Sequence, residues 1–159
     1  MHALASLPSV IVAAVEGHAL GGGAELSQVA DVVIAGESAR IGFVHARLGV
    51  SPGWGGASCL LHRVGRARAL QVMATARRYT ATEARSIGLV DEVVAEGQAI
   101  AAAEALAAHI LELPADAVRG ILRIVRSGEP KHAEREVFAQ LWSGGGHQAV
   151  MRTVGAGKK

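Results

Sequence analysis

Gly21-Gly22-Gly23-Ala24-Glu25 carries the clearest chemical capacity in this chain. Three consecutive glycines let another molecule approach the backbone closely. If the segment opens a helix, its leading N–H groups lack intrahelical acceptors, and the helix dipole adds partial positive charge there. Such a junction can hold an anionic oxygen. Glu25 falls about one turn further on, so a carboxylate stands ready to handle a proton beside that oxygen. The spacing does not fit the dinucleotide fingerprint, and no Lys-Ser/Thr pair follows as a nucleoside-triphosphate loop requires. Two plainer readings stand beside this one: the glycines serve tight packing, and Glu25 faces solvent.

The elements around the motif must position it. Residues 10–15, β-branched and unalternating, predict a strand buried on both faces, as in a parallel α/β sheet. That strand breaks at the glycine turn directly into a helix over 21–30. Residues 31–35 predict a second buried strand, 36–38 a turn, and 40–43 a short third strand. A glycine-rich loop covers 49–56, and helices follow over 57–64 and 66–76. Thr80-Ala-Thr82 opens a short helix that Gly88 stops. Residues 89–94 read as a strand with a polar pair in its middle. Helices are expected over about 96–113, 115–125 and 133–141, the last ending at Trp142-Ser-Gly-Gly-Gly146. The tail from Gly155 is expected to be disordered. No internal repeat is visible. The fold class is α/β: a βαβ core over about 8–95 and a helical region over about 96–154, within a single partial domain over 1–159.

The composition, 50% apolar and 19% charged over 159 residues, suits a globular domain. Aromatics make up only 3%, so alanine, valine and leucine must fill the core. The net charge of +2 calls for no special partner. Arg63, Arg66, Arg68, Arg77 and Arg78 cluster locally. They read as a solvated helix face or as a site for an anionic ligand such as a nucleotide phosphate. No aromatic stacking residues interleave them, which argues against a nucleic-acid partner. The single cysteine, Cys59, excludes an intrachain disulfide and reads as buried filler. No signal peptide, membrane-length apolar run or metal-ligand cluster is evident, so a cytoplasmic protein without a metal and without a membrane partner is expected.

The ordered set Ser9 to Leu26, Asp31-Val-Val-Ile-Ala35, Leu48-Gly-Val-Ser-Pro52, Gly55-Gly56, Val64-Gly65, Thr80 to Ala84 and Gly88-Leu-Val-Asp91 closely resembles the crotonase (enoyl-CoA hydratase/isomerase) superfamily. The resemblance covers roughly residues 8–142. It implies the C-terminal part of a crotonase-type (ClpP-like) ββα superhelix followed by helices. It also implies an acyl-CoA thioester as substrate, with no separate cofactor, and a homo-oligomer, a trimer or hexamer. By that resemblance Gly22 donates an N–H to an oxyanion hole that binds the thioester oxygen as an enolate develops. Donors aimed at developing charge are worth about 3–4 kcal/mol in rate. Glu25 maps onto the family's first catalytic glutamate, while Gly21, Gly23, Trp54 and Gly55 line the substrate.

The departures from the family pattern redirect the chemistry. The second catalytic glutamate falls in Ile41-Gly-Phe-Val-His45, where His45 replaces it. Hydration by the family's usual route employs two carboxylates, so hydratase and isomerase activity are both weakened. His45 is a candidate titrating group or a histidine packed on the next loop. Phe43-Val-His45, Leu48 to Gly56 and the late Val137-Phe138…Leu141-Trp142-Ser-Gly-Gly145 match the ethylmalonyl-CoA decarboxylase branch better. Loss of CO2 from a malonyl-type thioester needs the same enolate hole and one acid, but no base to start it. Either His45 holds the carboxylate and Glu25 moves the proton, or the roles are reversed. Trp54 walls the acyl pocket or packs in the core. Family members carry the N-terminal third of the fold ahead of the glycine motif, with the second oxyanion donor and most CoA contacts. Half an oxyanion hole and an open apolar edge on the first strand are therefore expected. A non-catalytic assembly module is the alternative to an enzyme.

Overall fold

A computed structural model describes residues 1–156. The chain forms two compact units, Met1–Ala107 and a second from Ala108 on. In the first, a short helix α1 (His2–Ala5) precedes strands β1 (Val12–Val15) and β2 (His18–Leu20), then helix α2 (Gly22–Ser27). Strands β3 (Val32–Gly36) and β4 (Arg40–Gly42) follow, then a 3₁₀ turn (Val44–Leu48) and the long helix α3 (Gly56–Thr75). Strand β5 (Tyr79–Thr80), helix α4 (Ala81–Ser86), strand β6 (Glu92–Val94) and the start of helix α5 (Ala99–Leu111) complete it.

Two sheets result. One, in the order β1-β3-β6, is parallel throughout; in the other, β2-β4-β5, the first pair is parallel and the second antiparallel. Val12 pairs with Val32 and His18 with Arg40, so the β1–β2 stretch lies strand for strand on β3–β4. This is one step of a ββα superhelix, the expected fold. The repeat is hidden in the sequence because β2 is only three residues long, set between Gly17 (φ 63°) and Gly21 (φ 56°). The first apolar run therefore does not feed the helix directly, and β2 intervenes.

β1 is also less buried than its sequence suggests. Ala14 is exposed and Val12 and Ala13 half-buried, because β1 has one strand neighbour. The fully buried core centres on β3 (Val33, Ile34, Ala35) with Ile41, Phe43, Leu60, Val72, Leu89 and Val90. Alanines at 24, 39, 81 and 84, none exposed, let these elements approach closely. The polar pair at 91–92 does not interrupt a strand. Asp91 sits just ahead of β6 and accepts the Val33 N–H at 2.7 Å, as Asp31 ahead of β3 accepts the Ile11 N–H at 2.8 Å. Arg63 bonds Asp91 at 2.8 Å and the Ala30 carbonyl at 2.7 Å, tying α3 to both strand starts. Cys59 is half-buried rather than buried; that burial raises its thiol pKa, with Arg63 pulling the other way.

The helices expected over 57–64 and 66–76 join as α3 across Gly65, whose φ of 75° and ψ of 166° break the helical path. In the second unit, α6 (Ala115–Val125) lies on α7 (Pro130–Trp142), and Leu122, Ala133 and Val137 are buried. Gly120 permits this approach, since a Cβ there would stand 2.6 Å from Val137 Cγ1. Helix α7 begins three residues earlier than expected because Pro130 serves in its first turn. A further helix, α8 (Gly145–Ala156), begins inside the glycine triplet that the sequence reads as a stop and takes in the start of the tail. The rest of the tail, 157–159, lies outside the described residues.

Thr80 caps α4 as the sequence predicts: its hydroxyl accepts the Glu83 N–H at 3.2 Å, and Glu83 accepts the Thr80 N–H at 2.9 Å. Thr80→Ala is expected to lower stability by about 1 kcal/mol in urea unfolding; an unchanged midpoint would remove the capping box from the account.

Candidate active site where two parallel strands end

β2 and β4 are neighbours that run the same way, Leu20 opposite Gly42. Whatever follows each strand therefore emerges at the same end of the sheet, the usual place for ligands in parallel α/β structures. After β2 the Gly21 N–H makes one more bond, to the Gly42 carbonyl at 2.9 Å, and the chain turns into α2. After β4 comes Phe43, fully buried, then the 3₁₀ turn that carries His45. The two strand ends thus bring Glu25, one turn into α2, against His45.

Glu25 is 1% exposed, so of the two readings the sequence leaves open, the solvent-facing carboxylate does not hold. A buried carboxylate costs several kcal/mol unless its oxygens find donors. Here they do. Oε2 accepts the N–H groups of Trp54 and Gly56, each at 3.0 Å. Oε1 accepts the Gly53 N–H at 3.3 Å and lies 3.0 Å from His45 Nε2. A carboxylate offers about four lone-pair sites, and four partners use them. Gly56 is the first residue of α3, so the carboxylate also sits at the positive end of that helix dipole. Gly56 must be glycine because a Cβ would overlap the Cα and Cβ of Glu25. As partners of Glu25, Gly53 and Gly56 have no sequence signal beyond the glycine-rich loop and the Gly55-Gly56 motif of the resemblance.

His45 is 13% exposed, and its other nitrogen, Nδ1, is buried without a partner among the described residues. The imidazole lies beside Gly21, where a Cβ would be 3.9 Å from Nε2. Arg47, on the same turn, points elsewhere and donates to the Ala76 carbonyl at 2.8 Å.

Gly22 and Gly23 open α2, so their N–H groups have no intrahelical acceptor. They are the donors available to an anionic oxygen. Gly21 is not one of them: its N–H is spent on Gly42, and its positive φ serves the turn. The indole of Trp54 packs on Gly22, so closely that a Cβ there would overlap the ring. Trp54 is nevertheless 65% exposed, so it does not pack in the core. Gly55 is the N-cap of α3 at φ 99° and shapes the loop. Of the arginine cluster, Arg63 is committed to the strand starts, and Arg77 pairs with Glu83 over the Tyr79 ring. Trp142, from the late motif, stacks on Phe138 and on His147 in the second unit. No grouping of three metal-ligating side chains occurs among the described residues, and no described helix is long and apolar enough to cross a membrane. The arrangement combines the N–H groups that open α2, the Trp54 indole against them and a carboxylate–imidazole pair.

Comparison with known proteins places the chain in a family. The family model for enoyl-CoA hydratase/isomerase matches residues 1–151. The ethylmalonyl-CoA decarboxylase of Danio rerio is 40% identical over 151 residues, covering 89% of this chain and 50% of that protein. An enoyl-CoA hydratase subunit I from Geobacillus kaustophilus superposes with a TM-score of 0.89 at 33% identity, covering 98% of this chain and 63% of its own. A Thermobifida fusca protein assigned to the enoyl-CoA hydratases, solved with acetoacetyl-CoA, superposes with a TM-score of 0.78 at 33% identity, covering 84% of this chain and 55% of its own. The chain spans about half the length of the curated relatives it matches.

The two loop glycines on Glu25 give a paired test. A Cβ at Gly53 meets nothing within 4 Å, whereas one at Gly56 overlaps Glu25. Gly56→Ala is expected to cost about 1–3 kcal/mol in urea unfolding, with a shift in tryptophan fluorescence, and Gly53→Ala to leave both nearly unchanged. Equal effects would contradict the close seating of α3 on Glu25.

Proposed function

The chain belongs to the enoyl-CoA hydratase/isomerase family, and we propose that it serves an acyl-CoA reaction that passes through a thioester enolate, the decarboxylation of a malonyl-type (methylmalonyl or ethylmalonyl) group. The observation that carries this reading is the pair His45–Glu25 at 3.0 Å, an imidazole against a carboxylate where hydration would require two carboxylates. The 40% identity to an ethylmalonyl-CoA decarboxylase supports it.

In the proposed reaction the thioester oxygen rests on the N–H of Gly22, at the positive end of α2, with Gly23 beside it. As the bond to the carboxylate breaks, its electron pair moves onto that oxygen, where fixed donors are most effective. Trp54 bounds the acyl group and excludes water from it. The Glu25–His45 pair then returns a proton to the carbon. CoA arrives as part of the substrate, and no separate cofactor takes part. A homo-oligomer in the cytoplasm belongs to the same reading.

Two other readings have support. Hydratase or isomerase activity is favoured by the Geobacillus kaustophilus hydratase at TM-score 0.89. An assembly module is favoured by the exposed Ile121, Val125, Phe138 and Trp142 of the second unit. The deciding assay offers the chain methylmalonyl-CoA, ethylmalonyl-CoA and crotonyl-CoA. CO2 release from the malonyl-type thioesters, with crotonyl-CoA left intact, is the expected outcome. Hydration of crotonyl-CoA without CO2 release would overturn the decarboxylase reading, and an inert but oligomeric chain would favour the assembly module.

A further inference from the structure

We infer that Arg47 is a positioning residue for the candidate site. Its side chain, bonded to the far end of α3, fixes the turn that carries His45 and so keeps the imidazole on Glu25. That contact exists whatever reaction the site serves, and only the turnover measurement below rests on the acyl-CoA reading.

The turn over Val44–Leu48 has little burial to hold it. Ala46 and Leu48 are exposed, and Val44 is half-buried. Its backbone bonds, from the Gly49 N–H to the Ala46 carbonyl and from the Val50 N–H to the His45 carbonyl, stay within the turn and its exit. Two anchors flank the imidazole instead. Phe43, two residues before it, is fully buried, with its ring centre 6.1 Å from that of His45. Arg47, two residues after it, donates from Nε to the Ala76 carbonyl at 2.8 Å. His45 and Arg47 carry the only side chains on the turn that can hydrogen-bond. The Ala76 bond is therefore the polar tie that stands beside the contact of His45 with Glu25.

Ala76 is a corner of the first unit. It ends α3 with φ 47° and ψ 34°, in the left-handed region that an L side chain enters at a cost. The corner lets the chain leave α3 and return as β5, which pairs Tyr79 with Ile41 of β4. The fit is close, since a Cβ on Gly42 would stand 2.8 Å from the Arg77 carbonyl oxygen. β4 in turn leads into the turn of His45. A carbonyl at a helix end lacks an intrahelical donor, and the helix dipole adds partial negative charge there. A guanidinium answers both. α3 thus holds the pair from both ends. Its first N–H, from Gly56, holds Glu25, and its C-cap carbonyl, through Arg47, holds the turn of His45.

The test separates the bond from the charge. The bond comes from Nε, and the amide nitrogen of glutamine lies the same number of bonds from Cα. Arg47→Gln therefore keeps the donor without the charge, and Arg47→Met keeps the length without a donor. Arg47→Lys keeps the charge with its nitrogen one bond further out. The readout on the full chain is solvent exchange of the His45 Nε2 proton by NMR, assigned with His45→Gln, at a pH where the ring is neutral. Slow exchange is expected in the wild type. Arg47→Met is expected to speed it roughly tenfold or more, Arg47→Gln to restore it and Arg47→Lys to fall between. The urea midpoint is measured alongside. A lower midpoint with unchanged Nε2 exchange in Arg47→Met would make Arg47 merely structural and overturn the inference. Equal loss in Arg47→Met and Arg47→Gln would overturn it too, as would the absence of a slow signal in the wild type. Should Arg47→Met not fold, the other two variants decide, and Arg47→Lys lying closer to the wild type than Arg47→Gln would overturn it. In turnover, kcat for CO2 release from ethylmalonyl-CoA is expected to fall roughly tenfold or more in Arg47→Met, with KM little changed, and to recover in Arg47→Gln. A wild-type chain inert on acyl-CoA thioesters would remove that reading alone and leave the inference to the NMR result.

Discussion

A buried carboxylate with every lone pair taken is the constraint on which the candidate site depends. Glu25 cannot be buried without donors, and the donors come from a loop almost thirty residues later in the chain. That requirement explains why α3 begins at position 56 with a glycine and why α3 seats directly on α2. It also fixes where Trp54 lies. The N–H groups that open α2, the indole against them and the imidazole beside them are therefore one coupled arrangement.

The same device recurs elsewhere in the first unit. Glu16 accepts the Ala99 N–H at 2.9 Å and so supplies an anion to the start of α5. Gly36 makes room for it, since a Cβ there would overlap the Glu16 carboxyl group. Asp31 and Asp91 do the equivalent for strand starts. Each acidic group satisfies backbone N–H groups that would otherwise be orphaned at an element's end. With few aromatics to fill volume, small residues bring the elements close, and these carboxylates set their register.

The sequence made some of this legible. The glycine triplet, the helix start at Thr80, the buried run in β3 and the closeness of Glu25 to position 45 all rest on local pattern or on resemblance. What stayed hidden was tertiary. β2 has too few residues for a periodic signal, yet its pairing with β4 is what brings Glu25 to His45. Asp91 looked like a polar interruption because its partner, the Val33 N–H, is remote in sequence. The caging of Glu25 had no signal beyond glycines, because its donors are backbone groups that every residue type carries. Helix α8 was masked because glycine discourages helices locally, and packing overrides that preference.

Amide hydrogen exchange at Trp54 and Gly56 tests the central claim most directly. If the Glu25 carboxylate holds both N–H groups, they exchange slowly in the wild type. In Glu25→Ala they then exchange roughly tenfold faster or more, the equivalent of one charge-assisted bond. Val33 and Ile34, buried in β3, keep their protection in that variant. Wild-type exchange at the rate of an unprotected amide at Trp54 and Gly56 would contradict the account.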